Sequence, residues 1–349
     1  MRKNHWGTVF RGVITLLVIT YLVFKVNWHD LVTQLVKADF VWLLLACLLF
    51  GVIYILAGIR WWFLMQVQSI VLPMRVAVAL TFIGQFFNSF LLGAVGGDIL
   101  KFFYMQKYAP HQKIHATLSI VMDRVLGLFI LLCGSLLVMP WQVEWLAHNE
   151  KVNFVVLGFF VLFSLFGFVV VIIAMTPFHR APPALRNIWN KIPHRQIIEH
   201  VISGFRQHGI ELNLTLASLA VGTALTLALV GAGCFIAIGI GLDITYMQML
   251  IILTVVICVI SLPISIGGHG VREGIFVLMF AAFGVINIDP QTGSGQEPAV
   301  LFSLLFFAIP LIWSLVGGVV YLTFRHDYGP ISKHSVSVEL PNLLPPSGN

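Results

Sequence analysis

The chain has 349 residues, of which 20 are Lys or Arg and 14 are Asp or Glu, and its formal net charge is +6. Charged residues make up 10% of the chain and hydrophobic residues 59%, whereas a soluble domain has roughly 25% charged residues. This composition excludes a soluble globular enzyme, a disordered chain and a disulfide-rich scaffold. It predicts an all-α polytopic membrane protein. Because the basic residues lie beside apolar segments, the charge indicates membrane topology and anionic headgroups rather than nucleic acid.

A transmembrane helix needs about 20 apolar residues, and the chain offers about eight segments near that length. In chain order they are Thr8–Phe24, Phe40–Ile59, Val76–Val95, Ile114–Met139, Phe154–Ala174, Leu214–Ile240, Met247–Leu262 with a short piece at Ile275–Ile286, and Ala299–Phe324. The first is interpreted as a retained signal anchor, since no small-residue cleavage site follows it. We therefore expect one membrane domain over residues 1–325, with a basic cytoplasmic loop at 176–213 and a flexible tail at 326–349.

The third apolar segment is interrupted. It contains Asn88 and ends in the run Gly96-Gly97-Asp98, after which Lys101 begins a lysine-rich stretch to residue 113. If this segment enters and leaves on one side, fourteen Lys and Arg residues face the cytoplasm and three face outward; otherwise both basic loops would face outward. The sequence thus predicts a re-entrant segment, and irregular backbone at that depth requires protein or water around it.

A second glycine break runs from Pro263 to Gly274 and is similar to the first in its Ser, Gly-Gly and charge order. Paired glycine breaks in two halves of a transporter indicate a binding site between them. An inverted repeat and chance similarity both remain open. The charge count favours an ordinary span here, with a cytoplasmic C-terminus, over a second re-entrant segment.

Charged residues within the apolar segments are costly and need partners or water. Asp123 and Arg124 are adjacent, about 100° apart on a helix, and so each must pair with another element. The candidate partners are Arg60, predicted at a helix end, Asp98, Lys101, Arg272 and Glu273. One hypothesis is an anionic headgroup site with Arg124 and Arg272 as phosphate ligands, since the arginine fork binds phosphate oxygens in pairs. The alternative is a set of ion pairs that only lock the bundle.

The glycine pairs have two interpretations. Gly96, Gly97, Gly267 and Gly268 could present backbone N–H groups to an anion, or they could serve chain reversal and close packing. His269 could contact a headgroup or relay a proton, or it could be a hydrogen-bonded structural residue. No nucleotide fingerprint, serine nucleophile motif or metal-binding pattern occurs, so we predict no cofactor and no metal.

Together these motifs resemble those of the lysylphosphatidylglycerol synthase transmembrane family. The resemblance rests on Gly96-Gly97-Asp98, on Asp-Arg-Val-Leu-Gly at 123–127, and on Pro263, Gly267-Gly268 and Gly270-Val271-Arg272-Glu273, and it covers about residues 8–325. His269 departs from the apolar or small residue expected there. Such a resemblance implies a helical membrane bundle with lipid translocation or a related lipid-linked function. Because the chain stops soon after its last span, we expect it to lack the aminoacyl-transferring domain of the bifunctional relatives.

The sequence therefore predicts a flippase or transporter of the bacterial inner membrane, with a cytoplasmic N-terminus. It would move an anionic phospholipid or polyprenyl-linked lipid between leaflets, and its partners would be the bilayer and that lipid. We expect no enzymatic activity. Two alternatives stay open: an intramembrane enzyme acting on a lipid-linked substrate, and a non-transporting partner of a lipid-modifying enzyme.

Overall fold

The computed structural model describes residues 28–90, 96–108, 112–142, 210–261, 270–289 and 294–327, together with positions 158, 161 and 207. Every regular element in these ranges is helical. The helices are α1 Trp28–Lys37, α2 Phe40–Val67, α3 Met74–Phe90, α4 Gly96–Tyr108, α5 Lys113–Val138 followed by a 3₁₀ turn at Met139–Gln142, α6 Leu212–Gly239, α7 Tyr246–Ser261, α8 Val271–Ala282 and α9 Glu297–Asp327. The predicted spans Thr8–Phe24 and Phe154–Ala174, most of the loop 176–213 and the tail after residue 327 lie outside the described residues.

Four of these helices are long and apolar enough to cross a membrane: Phe40–Val67, Lys113–Trp141, Leu212–Gly239 and Glu297–Phe324. Their outward faces are apolar as well. On α2 exposed side chains recur at helical spacing, among them Leu44, Leu48, Val52 and Ile55. A soluble helix would carry polar residues on that face. The chain is a multi-pass membrane protein, as its composition predicts.

The helices α2 and α6 form the long central contact of the fold, and they run antiparallel. At one end the Asp39 N–H donates to the Gly239 carbonyl oxygen at 2.8 Å. Towards the other end Gly222 of α6 lies against the Arg60 side chain of α2. Glycine and alanine residues line much of the buried face of α6, which permits the close approach typical of membrane helices.

The first interrupted segment is a pair of short helices, α3 and α4, that pack against each other. A Cβ atom on Gly97 of α4 would overlap the carbonyl oxygen of Gly84 on α3, so the two backbones touch. The hairpin begins after α2 and ends before α5, and the Gln68 and His115 side chains at those two places hydrogen-bond at 3.0 Å. Its two ends therefore lie on one side of the bundle, as the prediction of a re-entrant segment requires.

The second interrupted segment consists of α7 and α8, with 16 and 12 residues, and each is shorter than the roughly 20 residues a span requires. The helix α7 begins at Tyr246, seven residues past the Gly239 end of α6. Beyond α8, Val300 and Leu301 of α9 pack against Leu35 of α1, near that same end. The pair therefore returns to the side it left, and the geometry favours a second re-entrant segment over the ordinary span.

The two halves share one order of elements: a long helix, two short helices around a glycine break, and a long helix. Because α2 and α6 are antiparallel, the second half is inverted relative to the first, and the two breaks enter the bundle from opposite sides. Arg75, Lys107 and Lys113 lie at one face, hereafter the basic face, and Asp243 and Asp289 lie at the opposite, acidic face. The helix α9 ends at the basic face, where Phe324 contacts Tyr104 with ring centroids 5.7 Å apart.

Candidate functional site

The best-buried ion pair of the first half joins α2 to α5. Arg60 Nε donates to Asp123 Oδ1 at 2.8 Å, and the two side chains are 9% and 16% exposed. The sequence placed Arg60 at a helix end, which is wrong, because α2 continues to Val67. Two glycines make room for the guanidinium group: a Cβ on Gly127 would lie 3.1 Å from Arg60 Nη1, and one on Gly222 would lie 3.2 Å from Arg60 Cδ.

The neighbouring residue of α5 pairs with a different helix. Arg124 Nε donates to Asp98 Oδ2 at 2.5 Å, and Asp98 lies in the first turn of α4, directly after the glycine break. Adjacent residues of a helix point about 100° apart, so Asp123 faces α2 while Arg124 faces α4. The Arg124 side chain is 47% exposed whereas that of Asp98 is 18% exposed. This arginine is thus the accessible cation of the cluster.

Lys101 lies inside the same cluster. The sequence placed it in a cytoplasmic loop, but it belongs to α4 and is 9% exposed. Its ammonium group lies 4.5 Å from the centroid of the Trp61 ring, and Gly84 leaves space beside its aliphatic stem. A cation over an indole face is stabilised by the ring quadrupole. Burial was missed because it depends on a tryptophan of another helix, which no local pattern shows.

The first glycine break is held by a side chain of α3. The Gly97 N–H, in the first turn of α4, donates to Asn88 Oδ1 at 2.7 Å. Gly97 itself is buried against Gly84, and Gly96 precedes it at the start of the helix. Gly97 therefore serves close packing of the helices. Its N–H is already bonded to Asn88 and does not face an anion.

The second break carries its own charge pair. Arg272 and Glu273, in the first turn of α8, bond to each other through Arg272 Nη2 and Glu273 Oε1. The Gly270 N–H donates to Glu273 Oε2 at 2.6 Å, and Gly270 has φ 80°, a left-handed conformation that suits glycine. Gly267, Gly268 and His269 lie outside the described residues.

The sequence predicted that this second break also converges on Asp123 and Arg124. In the described ranges its polar partner is instead on α9, where Ser303 Oγ accepts from Arg272 Nε at 3.0 Å. The Arg272 guanidinium lies 4.7 Å from the Phe307 ring centroid. The Glu273 side chain turns back to accept the Gly270 N–H at the start of α8, and this brings its carboxylate within reach of the neighbouring Arg272. The described part of the chain therefore has two charge clusters, one per break.

The first cluster, defined as Arg60, Asp98, Lys101, Asp123 and Arg124, has an excess of cations. Both carboxylates and both guanidinium groups are electrostatic neighbours of Lys101. Each carboxylate is bonded to one arginine, and Lys101 faces an aromatic ring. With all five groups charged, the cluster has one positive charge more than its carboxylates balance. Such an arrangement suits a monoanion such as a phosphodiester.

Several contributors to these clusters were not predicted. Gly127 follows Asp123 by four residues, which places both on one face of α5, so helical spacing could have indicated it. Ser303 and Phe307 carry the same spacing on α9. Trp61 is fully buried and donates to Ser119 Oγ at 3.3 Å, and no local pattern shows this contact.

A family model described as the lysylphosphatidylglycerol synthase TM region matches residues 8–318. The chain belongs to this family. The match includes both glycine breaks and both charge clusters of the structure. No curated protein matches the chain. Membership of the family indicates a role connected with membrane lipids.

Proposed function

We propose that the chain is a lipid flippase or transporter of the bacterial inner membrane. It moves an anionic phospholipid or polyprenyl-linked lipid between leaflets. The observation that carries this proposal is the arrangement of the first cluster. An accessible Arg124 is held by Asp98 at the tip of a re-entrant hairpin, between helices that cross the membrane. A second hairpin with its own arginine enters from the opposite face.

In this mechanism the headgroup phosphate contacts Arg124 first, because this side chain is the exposed one. Asp98 holds the Arg124 guanidinium, and Asp123 does the same for Arg60. Lys101 adds the charge that the carboxylates leave unbalanced. The acyl chains stay in the bilayer while the headgroup moves through protein, where the cost of a charge in hydrocarbon is avoided.

Arg272 has a different role in this structure. It is 7% exposed and bonded to Glu273 and Ser303, so it does not offer a free fork to phosphate. We assign it to the far end of the pathway, where it would exchange Glu273 for the phosphate as the headgroup arrives. Gly267, Gly268 and His269 precede this helix in the sequence, and we keep them as proposed headgroup contacts.

The orientation follows from charge. The basic face carries Arg75, Lys107 and Lys113, so we propose from the positive-inside rule that this face lies in the cytoplasm, together with the N-terminus. No ATP-binding motif occurs in the sequence, and hence movement is passive or driven by an ion gradient.

The test is leaflet-resolved lipid movement in proteoliposomes that contain the purified protein and labelled anionic or zwitterionic lipids. Arg124→Ala is the variant, and Lys113→Ala is its matched control, since Lys113 is an exposed cation of the same helix α5. Movement of anionic lipid that Arg124→Ala abolishes and Lys113→Ala preserves would support the proposal. Unchanged movement in Arg124→Ala, or chemical alteration of the lipid, would overturn it and favour the partner or the enzyme alternative.

A further inference from the structure

A groove of about 380 Å³ opens between three helices, and no residue of either charge cluster lines it. Its walls are branched aliphatic and aromatic side chains in i, i+4 pairs, namely Ile55 and Ile59 of α2, Val78 and Phe82 of α3, and Val316 and Val320 of α9. Pairs at this spacing lie one above the other along each helix. The groove therefore runs along the helices and is apolar over its length.

Two glycines close the floor of this groove by bringing the helices together. A Cβ on Gly58 of α2 would lie 2.6 Å from the Val78 Cα atom, and one on Gly317 of α9 would overlap the Phe82 carbonyl oxygen. The backbone of α3 thus touches α2 and α9. Such contacts make the groove a built feature of the fold rather than a gap between loose side chains.

One charged residue, Arg75, lines the groove, at its basic-face end. Arg75 is exposed and makes no ion pair or hydrogen bond with a described residue. It lies in the first turn of α3, which contains no acidic residue, although a helix N-terminus favours negative charge. Neither the arginine nor the helix end has an acidic partner in the part of the chain that the structure describes, so an anion at this point would stabilise both.

The depth of these groups matches a membrane leaflet. Near Arg75 the Trp62 indole N–H donates to the Leu72 carbonyl oxygen at 2.8 Å, and tryptophan at a membrane boundary marks the headgroup level. From Arg75 to Phe82 the helix rises about 10 Å. The groove thus has its charge at headgroup height and its apolar walls at the level of acyl chains.

We propose that this groove binds one acyl chain of an anionic glycerophospholipid from the leaflet at the basic face, with the phosphate on Arg75. Free phosphate is not the ligand, because the walls beneath the charge are apolar. This site is separate from the first cluster, and the proposal does not rest on flippase activity. It assigns the chain a resident lipid at the junction of its two halves.

The full chain is placed in nanodiscs that contain equal amounts of palmitoyl-oleoyl phosphatidylglycerol and palmitoyl-oleoyl phosphatidylcholine. It is then released from them, and native mass spectrometry counts the lipids that stay bound. The wild type should retain phosphatidylglycerol in preference to phosphatidylcholine. Arg75→Gln should lower that preference roughly fivefold, the effect of one basic residue at an anionic surface. Lys113→Gln, an exposed cation of the basic face outside the groove, should leave it unchanged.

Two further variants test the groove itself. Ala79→Leu narrows the groove from α3 and should reduce retention of both lipids. Val320→Phe narrows it from α9 and should have the same effect, so the test still stands if one of the two variants unfolds. An unchanged preference in Arg75→Gln, an equal loss in Lys113→Gln, or displacement of the lipid by soluble glycerol phosphate would overturn the proposal. Arg124→Ala should keep the bound lipid, so loss of transport and loss of this site are distinguishable.

Discussion

Arg60 and Asp123 form the ion pair that ties α2 to α5, with 2.8 Å between Nε and Oδ1 and both side chains largely buried. Gly127 and Gly222 are the smallest residues that could stand beside the guanidinium group. Replacing either partner leaves a buried charge without compensation, which is more costly than losing the pair as a whole.

We therefore expect Arg60→Met to lower the free energy of unfolding by about 3–5 kcal/mol. The double variant Arg60→Met/Asp123→Leu should recover most of that loss, since no charge stays buried alone. Unfolding in detergent by denaturant titration measures both. A single variant as stable as the wild type would contradict the inferred role of the pair.

Arg124 is expected to behave in the opposite way. Its side chain is half exposed, and exposed ion pairs contribute only about 0–1 kcal/mol, so Arg124→Ala should fold and unfold nearly as the wild type does. Lipid movement should nevertheless be lost, because the accessible cation is gone. Asp98→Asn should impair movement too, since the guanidinium loses its anchor. If Arg124→Ala instead unfolded as readily as Arg60→Met, the first cluster would be a lock for the bundle.

The long helices α2, α5, α6 and α9 could be predicted from the sequence, because an apolar run of sufficient length is a local property. The requirement that Asp123 and Arg124 take separate partners was also predictable, since it follows from helix geometry alone. Which partners they take was not, because Arg60, Asp98 and Lys101 are brought together by contacts between distant segments.

The errors have the same origin. Lys101 resembles a loop residue in a lysine-rich stretch, and only Trp61 of another helix shows that it is buried. Arg272 was expected to reach α5, yet Glu273 beside it is drawn to the Gly270 amide and is therefore within reach. The inverted order of the two halves became visible only through the antiparallel contact of α2 with α6.

The glycines of the two breaks should differ in their tolerance of a methyl group. Gly97→Ala should destabilise the protein by about 1–3 kcal/mol, the range for overpacking, because its Cβ would meet the Gly84 backbone. Gly274→Ala is the matched control: it lies in α8 with nothing within 4 Å of the added Cβ, and alanine favours the helix. The midpoint temperature of thermal unfolding in detergent should therefore fall for Gly97→Ala and stay the same or rise for Gly274→Ala. Equal shifts would contradict the close contact of α3 with α4.

The second cluster should depend on Glu273 far more than on Ser303. Glu273→Ala removes the carboxylate that pairs with Arg272 and accepts the Gly270 N–H, and a loss of about 3–5 kcal/mol is expected for breaking a buried pair. Ser303→Ala removes the hydrogen bond that Ser303 accepts from Arg272 Nε and a longer one that it donates to Glu273 Oε1 at 3.4 Å, and should lose about 1–2 kcal/mol. Denaturant titration of both variants compares the two losses, and a larger loss for Ser303→Ala would show that α9 rather than Glu273 holds Arg272.

The inverted order of the halves makes a prediction about membrane sides. Single cysteines at Lys107 and Lys113 should react with an impermeant maleimide from the cytoplasmic side, and cysteines at Asp243 and Asp289 from the outer side. The four native cysteines, Cys47, Cys133, Cys234 and Cys258, are first replaced by serine or alanine. Because each hairpin returns to the face it left, Asp243 and Asp289 should share one side although α7, α8 and their break separate them. Labelling of these two positions from opposite sides would mean that the second segment crosses the membrane.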